Sequence, residues 1–100
     1  MKKPAIYIIA NKQFGTLYVG VTSDLLKRVF EHKNNIFCGF SSLYQCKMLV
    51  FYSFFETMTD AIVAEKKLKK GSRLKKINLI DSMNPEWNDL HISSDFSSKV

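Results

Sequence analysis

Two short apolar runs near the N-terminus predict a β-hairpin. Residues 5–10 (AIYIIA) and 16–21 (TLYVGV) are rich in β-branched and aromatic residues, and the five residues between them (NKQFG) carry turn chemistry. Alternate residues of a strand share a face. If the two strands pair in a suitable register, Tyr7 and Tyr18 lie on the same face of the hairpin.

A helix is predicted directly after the hairpin. Thr22, Ser23 and Asp24 supply an N-cap and a first-turn carboxylate. The apolar positions that follow predict a helical stripe made of Leu25, Leu26, Val29 and Phe30. Arg28 and His32 are four residues apart and should flank this stripe.

The second half of the chain predicts a strand and two helices. Residues 35–46 have no clean period and indicate a loop, whereas residues 47–54 (KMLVFYSF) form an apolar run typical of a strand covered on both sides. A helix capped by Thr57 or Thr59 should then run to Lys70 and end at Gly71. A last helix should open at residues 72–73 and end before Pro85.

The predicted order is β-β-α-β-α-α, which indicates an α/β (α+β) domain with a small sheet covered by helices. At 100 residues the chain is long enough for one core only. Residues 91–100 (HISSDFSSKV) are polar and serine-rich, and they predict a disordered C-terminal tail.

Composition favours a cytoplasmic protein with no membrane association. The chain is 46% hydrophobic and 24% charged, as is usual for soluble domains. Its N-terminus lacks the features of a signal peptide, and no apolar run approaches the roughly 20 residues of a membrane span. Cys38 and Cys46 match no common zinc or redox spacing, so we expect reduced thiols and no disulfide.

The charge distribution points to a polyanionic partner. The net charge is +6, and residues 66–76 contain seven basic side chains and no acidic one. We expect phosphates of a nucleic acid to be contacted by Lys66, Lys69, Lys70, Arg73, Lys75 and Lys76. The alternative is an ordinary solvated basic face.

Glu65 is the polar residue whose predicted position is most unusual. On a helical wheel it lies between Ala61, Ile62 and Leu68, inside the stripe that should face the core. A buried, unpaired carboxylate costs several kcal/mol, so a cation, a metal ion or a set of donors should accompany it. The alternative is a surface pair with Lys69 at i, i+4.

Together these residues resemble the GIY-YIG nuclease superfamily. The resemblance is carried by AIYIIA, a turn, TLYVGV, Arg28 ten residues after Tyr18, His32 four residues later, Glu65 in AIVAEKKLKK, and the closing NPEWNDL. It covers residues 5–90, which we take as the domain. The chain is most similar to the short standalone bacterial members described as endonucleases.

The resemblance implies a three-stranded antiparallel sheet flanked by helices, and metal-dependent cleavage of a phosphodiester. Tyr7, Tyr18 and Arg28 match the catalytic tyrosines and arginine of the superfamily, and Glu65 matches its metal-binding glutamate. His32 matches a histidine of phage homing endonucleases, where it would relay a proton or contact phosphate.

These residue types suit the implied chemistry. Glu65 would hold Mg²⁺ or Mn²⁺ against a phosphate oxygen, and Arg28 would stabilise the transition state. Tyr7 would be the general base, with Tyr18 orienting the water or sharing that role. Because tyrosine titrates near pH 10, Arg28 and the metal ion would have to lower the pKa of Tyr7.

The sequence departs from the superfamily pattern at several positions. Ala5 stands where the motif has glycine, and Val21 stands where excision-repair nucleases carry a lysine. Asn84 and Asn88 are left outside the predicted site, and Asn84 is equally compatible with a helix C-cap.

The predicted function is a metal-dependent endonuclease that acts on DNA rather than RNA, with branched or damaged structures as candidate substrates. The alternatives are a non-catalytic nucleic-acid-binding module on the same scaffold and a basic protein-interaction domain. Tyr7 and Tyr18 could also be ordinary hairpin aromatics, and Arg28 and His32 an ordinary polar helix edge.

Overall fold

The computed structural model describes residues 3–34 and 45–90, and this part of the chain contains three strands and three helices. In chain order they are β1 (Ala5–Ala10), β2 (Leu17–Thr22), α1 (Leu25–Lys33), β3 (Met48–Phe54), α2 (Met58–Lys70) and α3 (Arg73–Met83). The predicted order and the α+β class are confirmed.

The strands form one antiparallel sheet in the order β2-β1-β3, which is the predicted three-stranded arrangement. In the register of β1 with β2, Tyr7 lies opposite Gly20 and Ile9 lies opposite Tyr18. Tyr7 and Tyr18 are therefore diagonal neighbours on one face of the sheet, as the alternation of the hairpin predicts.

The central strand divides the core into two layers. Every residue of β1 is buried, so both of its faces are covered. Ala5, Tyr7 and Ile9 pack in the layer that contains α1 residues, whereas Ile6 and Ile8 pack in the layer that contains residues of α2 and α3. Tyr7 thus lies beneath α1.

The buried face of α1 differs from the predicted stripe. Leu25, Val29 and His32 are buried, whereas Leu26 and Phe30 are 37% and 59% exposed. A nine-residue helix covers little of the sheet, and the positions that meet it are i, i+4 and i+7. The prediction that His32 lies on the flank was wrong.

Side-chain caps start each helix where the sequence predicts one. The side chains of Asp24, Thr57 and Ser72 accept backbone N–H groups of Lys27, Asp60 and Lys75 at 3.1–3.2 Å. These caps satisfy donors that the first turn of a helix leaves without an intrahelical partner.

The segment after α3 covers the free edge of β3. The Leu90 N–H donates to the Leu49 carbonyl at 2.8 Å, and the Leu49 N–H donates to Oδ1 of Asp89 at 2.9 Å. The Asp89 carboxylate also pairs with Lys33 of α1. These two hydrogen bonds satisfy main-chain groups that an edge strand would otherwise leave without a partner in the sheet.

Some predictions fall outside the described residues. These are the tail at 91–100, most of the loop at 35–46, and Cys38. Within the described part, Cys46 is a free, buried thiol, and no described helix has the length and apolar character needed to cross a membrane.

Candidate active site

Three rings converge beneath α1. The Tyr7 hydroxyl lies 3.0 Å from Nε2 of His32. The His32 ring lies 5.6 Å from the Tyr7 ring and 5.5 Å from the Tyr18 ring, and the two tyrosine rings are 6.5 Å apart, all measured between centroids. The fold therefore brings together three of the side chains that the sequence predicted to be catalytic.

Gly20 is the residue that allows this arrangement. A Cβ atom at position 20 would lie 2.3 Å from both Cζ and Oη of Tyr7. The phenol of Tyr7 therefore crosses directly over the backbone of β2, and no larger residue fits there. The sequence analysis did not include Gly20 in the site. Its position opposite Tyr7 in a paired hairpin is the signal that could have revealed it.

Arg28 completes the group from the same helix as His32. Its guanidinium hydrogen-bonds the Tyr7 hydroxyl, and its Nε lies 3.4 Å from a carboxylate oxygen of Glu31. Arg28 is thus held between the Tyr7 hydroxyl and an acidic neighbour.

Burial governs the pKa values of the buried pair. Desolvation raises the pKa of Tyr7 above its ordinary value, the nearby Tyr18 acts in the same direction, and Arg28 only partly opposes them. Arg28 therefore lowers the pKa of Tyr7, as predicted, but this effect is smaller than the rise that burial causes.

Burial and the charge of Arg28 lower the pKa of His32 to about 4, with Glu31 opposing them. His32 is consequently neutral at pH 7. Arg28 has only donors, so the Tyr7 oxygen accepts from it, and the phenol O–H is left to donate to Nε2 of His32. We assign the imidazole proton to Nδ1 on this basis.

Glu65 lies on α2 with only 8% of its surface exposed, as its place in the apolar stripe predicts. Its Oε2 lies 2.8 Å from Nζ of Lys69. The i, i+4 pair that was the alternative interpretation is therefore present, but the carboxylate is buried rather than on the surface. The Lys69 ammonium is therefore the cationic partner that a desolvated carboxylate requires.

Lys69 connects Glu65 with the hairpin. Its Nζ lies 6.0 Å from the centroid of the Tyr18 ring, at the limit of a cation–π contact. A chain of neighbouring side chains thus runs from His32 through Tyr7, Tyr18 and Lys69 to Glu65.

The donor set fits a hard divalent cation that is shared with a substrate. The described residues contain no group of three His, Cys, Asp or Glu side chains that could hold a metal ion alone. Mg²⁺ usually keeps several waters and is bound through one or two carboxylates together with substrate phosphates. Glu65 supplies one such carboxylate, so the fit depends on phosphate and water for the remaining positions.

The six predicted phosphate-binding residues fall into three groups, of which Lys69 and Lys76 form the last. Lys66, Lys70 and Lys75 are exposed. Arg73 is engaged: its Nη2 donates to the carbonyls of Phe14 and Gly15 at 2.6 Å, which ties α3 to the β1–β2 turn.

Lys69 and Lys76 line a groove beside the outer edge of β2. The groove has a volume of about 350 Å³, and its other lining residues are Leu17, Tyr18 and Val19. A neighbouring groove of about 280 Å³ is lined by Thr16, Leu17, Arg73 and Lys76. Cationic side chains therefore lie next to Tyr18, where a phosphate could reach them.

Asn84 serves the fold. Its backbone N–H caps α3 by donating to the Ile80 carbonyl, and its buried amide donates to the carbonyls of Val50 at 3.2 Å and Asn88 at 2.7 Å. Its Oδ1 accepts the Asn88 N–H at 3.0 Å. The C-cap interpretation of Asn84 is confirmed.

The chain is similar to a family model and to several individual proteins. The model of the GIY-YIG catalytic domain matches residues 3–78. A UPF0213 protein of Staphylococcus saprophyticus is 35% identical over 80 residues, which are 80% of this chain and 96% of that protein. A UPF0213 protein of Clostridium perfringens is 34% identical over 77 residues, covering 77% of this chain and 82% of its own length. A third, from Staphylococcus epidermidis, is 28% identical over 80 residues, with coverage of 80% and 96%. No solved structure matches the chain significantly.

Proposed function

Because the chain belongs to the GIY-YIG catalytic domain family, which is a nuclease-type family, we propose that it is a metal-dependent endonuclease that hydrolyses phosphodiester bonds. The proposed substrate is DNA, with branched or damaged structures as the first candidates. The proposed domain is residues 5–90, and the proposed location is the cytoplasm. The observation that carries the proposal is the Tyr7–His32 hydrogen bond at 3.0 Å, with Arg28 on the same hydroxyl.

Tyr7 and His32 form a proton relay for the attacking water. The raised pKa of Tyr7 means that free phenolate does not form, so proton transfer must be concerted. The water gives its proton to Oη of Tyr7 as Tyr7 gives its own proton to Nε2 of His32, while the water oxygen bonds to phosphorus and the bond from phosphorus to the leaving oxygen breaks. His32 is neutral at pH 7, so its Nε2 can accept the proton, but its lowered pKa means that the charged ring soon gives the proton up to solvent, from which the leaving oxygen is protonated.

Arg28 and Tyr18 act on the phosphate and the water. The Arg28 side chain is 36% exposed, so its guanidinium can bind a nonbridging phosphate oxygen and stabilise the charge of the transition state. Tyr18 lies between the His32 ring and Lys69, and it orients the water against the phosphate.

Glu65 is the residue that would hold Mg²⁺ or Mn²⁺. When bound, the ion would supply Lewis-acid stabilisation of a phosphate oxygen. Glu65 suits this role because its carboxylate is desolvated and has one cationic partner, Lys69, that a flexible stem allows to move.

Nicking of supercoiled plasmid in the presence of Mg²⁺ tests the proposal. We expect the wild-type chain to nick, and Glu65→Ala and Arg28→Ala to lose about 10²-fold or more in rate, the scale for removing a transition-state contact. Glu56→Gln is the matched control, because the Glu56 side chain is 88% exposed. Equal nicking by all four proteins would refute the assignment.

A non-catalytic nucleic-acid-binding module is the second candidate. The Glu65–Lys69 ion pair favours it, because an ammonium beside the carboxylate opposes the binding of a metal ion. Salt-dependent binding of nucleic acid by a wild-type chain that never nicks would support this function over the endonuclease.

A further inference from the structure

Lys69 lies between the two halves of the proposed site. Its ammonium is 2.8 Å from Oε2 of Glu65 and 6.0 Å from the Tyr18 ring centroid. The Lys69 side chain is 50% exposed, whereas that of Glu65 is 11% exposed. A half-exposed cation thus approaches a buried anion from the solvent side.

The Lys69 ammonium opposes a metal ion at Glu65 through charge repulsion. A divalent cation bound by either oxygen of the carboxylate would lie close to an ammonium that is 2.8 Å from Oε2, and this repulsion is strong where water is largely excluded. Metal binding at Glu65 is therefore favoured when the Lys69 ammonium moves away.

The groove beside β2 offers the ammonium a second position. Lys69 lines this groove together with Tyr18 and Lys76, and its four-carbon stem has freely rotating bonds. An empty groove provides no anion there. A nucleic-acid phosphate in the groove provides one next to Lys76, whose ammonium is held by the Gly71 carbonyl at 3.0 Å.

We propose that Lys69 couples metal loading of Glu65 to binding of a nucleic-acid phosphate. Without substrate, the ammonium neutralises Glu65 and opposes metal binding; with a phosphate in the groove, it moves to the phosphate and leaves the carboxylate to the metal. This inference rests on the proposed metal role of Glu65. Lys69 is then a positioning residue that delays metal loading until substrate is present.

Coupling of this kind is reciprocal. If a bound phosphate raises the affinity for metal, bound metal must raise the affinity for nucleic acid by the same factor. Removing the ammonium should tighten metal binding in the absence of nucleic acid and weaken the coupling. A lysine that only contacted phosphate would leave metal affinity unchanged.

The test is the affinity for Mn²⁺ alone, measured by electron paramagnetic resonance on wild-type protein, Lys69→Met and Lys67→Met. We expect Lys69→Met to bind Mn²⁺ at least about fivefold more tightly than wild type, the lower end of couplings between sites. Lys67→Met removes the same charge from an exposed position on the same helix and should stay within about twofold of wild type. Unchanged or weaker Mn²⁺ binding by Lys69→Met would overturn the inference.

Binding of a labelled oligonucleotide, followed by fluorescence anisotropy with and without Ca²⁺, gives the reciprocal measurement. We expect Ca²⁺ to tighten wild-type binding and to have a smaller effect on Lys69→Met; an equal effect on both proteins would also overturn the inference.

Absence of plasmid nicking alongside the expected Mn²⁺ and Ca²⁺ results would count against the endonuclease alone. The coupling would then belong to a binding module.

Discussion

The hydrogen bond between Tyr7 and His32 explains how a histidine can be buried in the core of a small domain. His32 is 5% exposed, and a charged imidazole there would be poorly solvated. The Tyr7 hydroxyl gives the neutral ring a partner, so burial costs little as long as the ring stays unprotonated. The same contact that serves the proposed relay therefore makes the fold sensitive to acid.

The stability of the fold should depend on pH through His32. Its folded pKa of about 4 is below the unfolded value of 6.5, so between these values the unfolded chain binds more protons. The contribution of His32 is fully present above pH 6.5 and is lost as pH falls towards 4. At about 1.4 kcal/mol per pKa unit, the loss is at most about 3 to 4 kcal/mol. Thermal unfolding from pH 4 to 7 should show this slope in wild type and a reduced slope in His32→Gln; parallel profiles would contradict it.

Substitution of Gly20 should displace Tyr7. In Gly20→Ala the new methyl group would lie 2.3 Å from the phenol, so the ring must move and the His32 hydrogen bond must lengthen. We expect a loss of about 1–3 kcal/mol in the free energy of unfolding, as in other overpacked cores. The rate of plasmid nicking should fall by more than the loss of folded protein explains.

Gly71→Ala is the control for Gly20→Ala, because its nearest contact, at 3.2 Å, is the Cδ atom of the flexible Lys75 side chain. The two variants should be compared by urea unfolding and by nicking at a temperature where both are folded. Similar effects of the two substitutions would show that Tyr7 does not depend on Gly20.

The sequence predicted which side chains come together better than it predicted their environment. Strand alternation allows Tyr7 and Tyr18 to share a face, which the register of β1 with β2 then provides, and the helical wheel places Glu65 inward. The burial of His32 depends on which face of α1 meets the sheet. The distance from Lys69 to the Tyr18 ring depends on how α2 lies beside β2. The spacing of apolar residues along one helix or strand does not determine such tertiary distances.

At the scale of elements, the segment from Asn84 to Leu90 acts as a cover for β3. Trp87 lies at its centre with a positive φ of 55° and 2% exposure. Its indole N–H donates to Asp81 at 3.1 Å, and its ring packs 4.9 Å from that of Phe14. The closing NPEWNDL motif therefore stabilises the fold and reaches the β1–β2 turn.

Asn84 should be the most sensitive polar residue of this segment. Asn84→Ala removes three side-chain hydrogen bonds and leaves the Val50 carbonyl without that donor in a buried place. We expect a loss of about 2–3 kcal/mol in the free energy of unfolding. Asn88→Ala is the matched control, because Asn88 contributes its backbone to these bonds and is exposed. Equal unfolding midpoints for the two variants in urea would contradict the role given to the Asn84 side chain.

The helix ends followed from sequence, but the helix faces did not. Capping residues act through local hydrogen bonds, so the start of each helix could be predicted to within a few residues from the chain alone. The side chains that form the caps are Asp24, Thr57 and Ser72. The face that a helix buries is set by the sheet beneath it. For this reason Phe30 is exposed although its spacing indicates an apolar stripe.

At the scale of the whole molecule, the proposed site lies where the two layers meet. β2 is an edge strand of the sheet, with α1 on one face and α2 packed mainly on the other. Tyr18 belongs to the α1 layer, yet Lys69 reaches its ring from α2. The buried Tyr7–His32 pair and the Lys69 ammonium thus come from opposite layers, and they approach each other through Tyr18 at one edge of the sheet, beside the groove.

The salt dependence of nucleic-acid binding should separate the basic residues that contact phosphate from those that hold the fold. Each phosphate contact to duplex DNA contributes about 0.9 to the slope of log K against log salt concentration. Neutralising the exposed Lys66, Lys70 and Lys75 together should therefore reduce the slope by about 2 to 3. Arg73 was predicted to belong with them, but its guanidinium binds the carbonyls of Phe14 and Gly15.

We expect Arg73→Gln to lower the thermal unfolding midpoint while leaving the slope near that of wild type, since its main loss is the link between α3 and the β1–β2 turn. Fluorescence anisotropy titrations at several salt concentrations give the slope, and thermal unfolding gives the stability of the same proteins. A triple lysine variant with an unchanged slope would exclude this face as the phosphate contact. A reduced slope for Arg73→Gln at full stability would show that Arg73 leaves the turn to bind phosphate, because only a group exchanged with counterions affects the salt dependence.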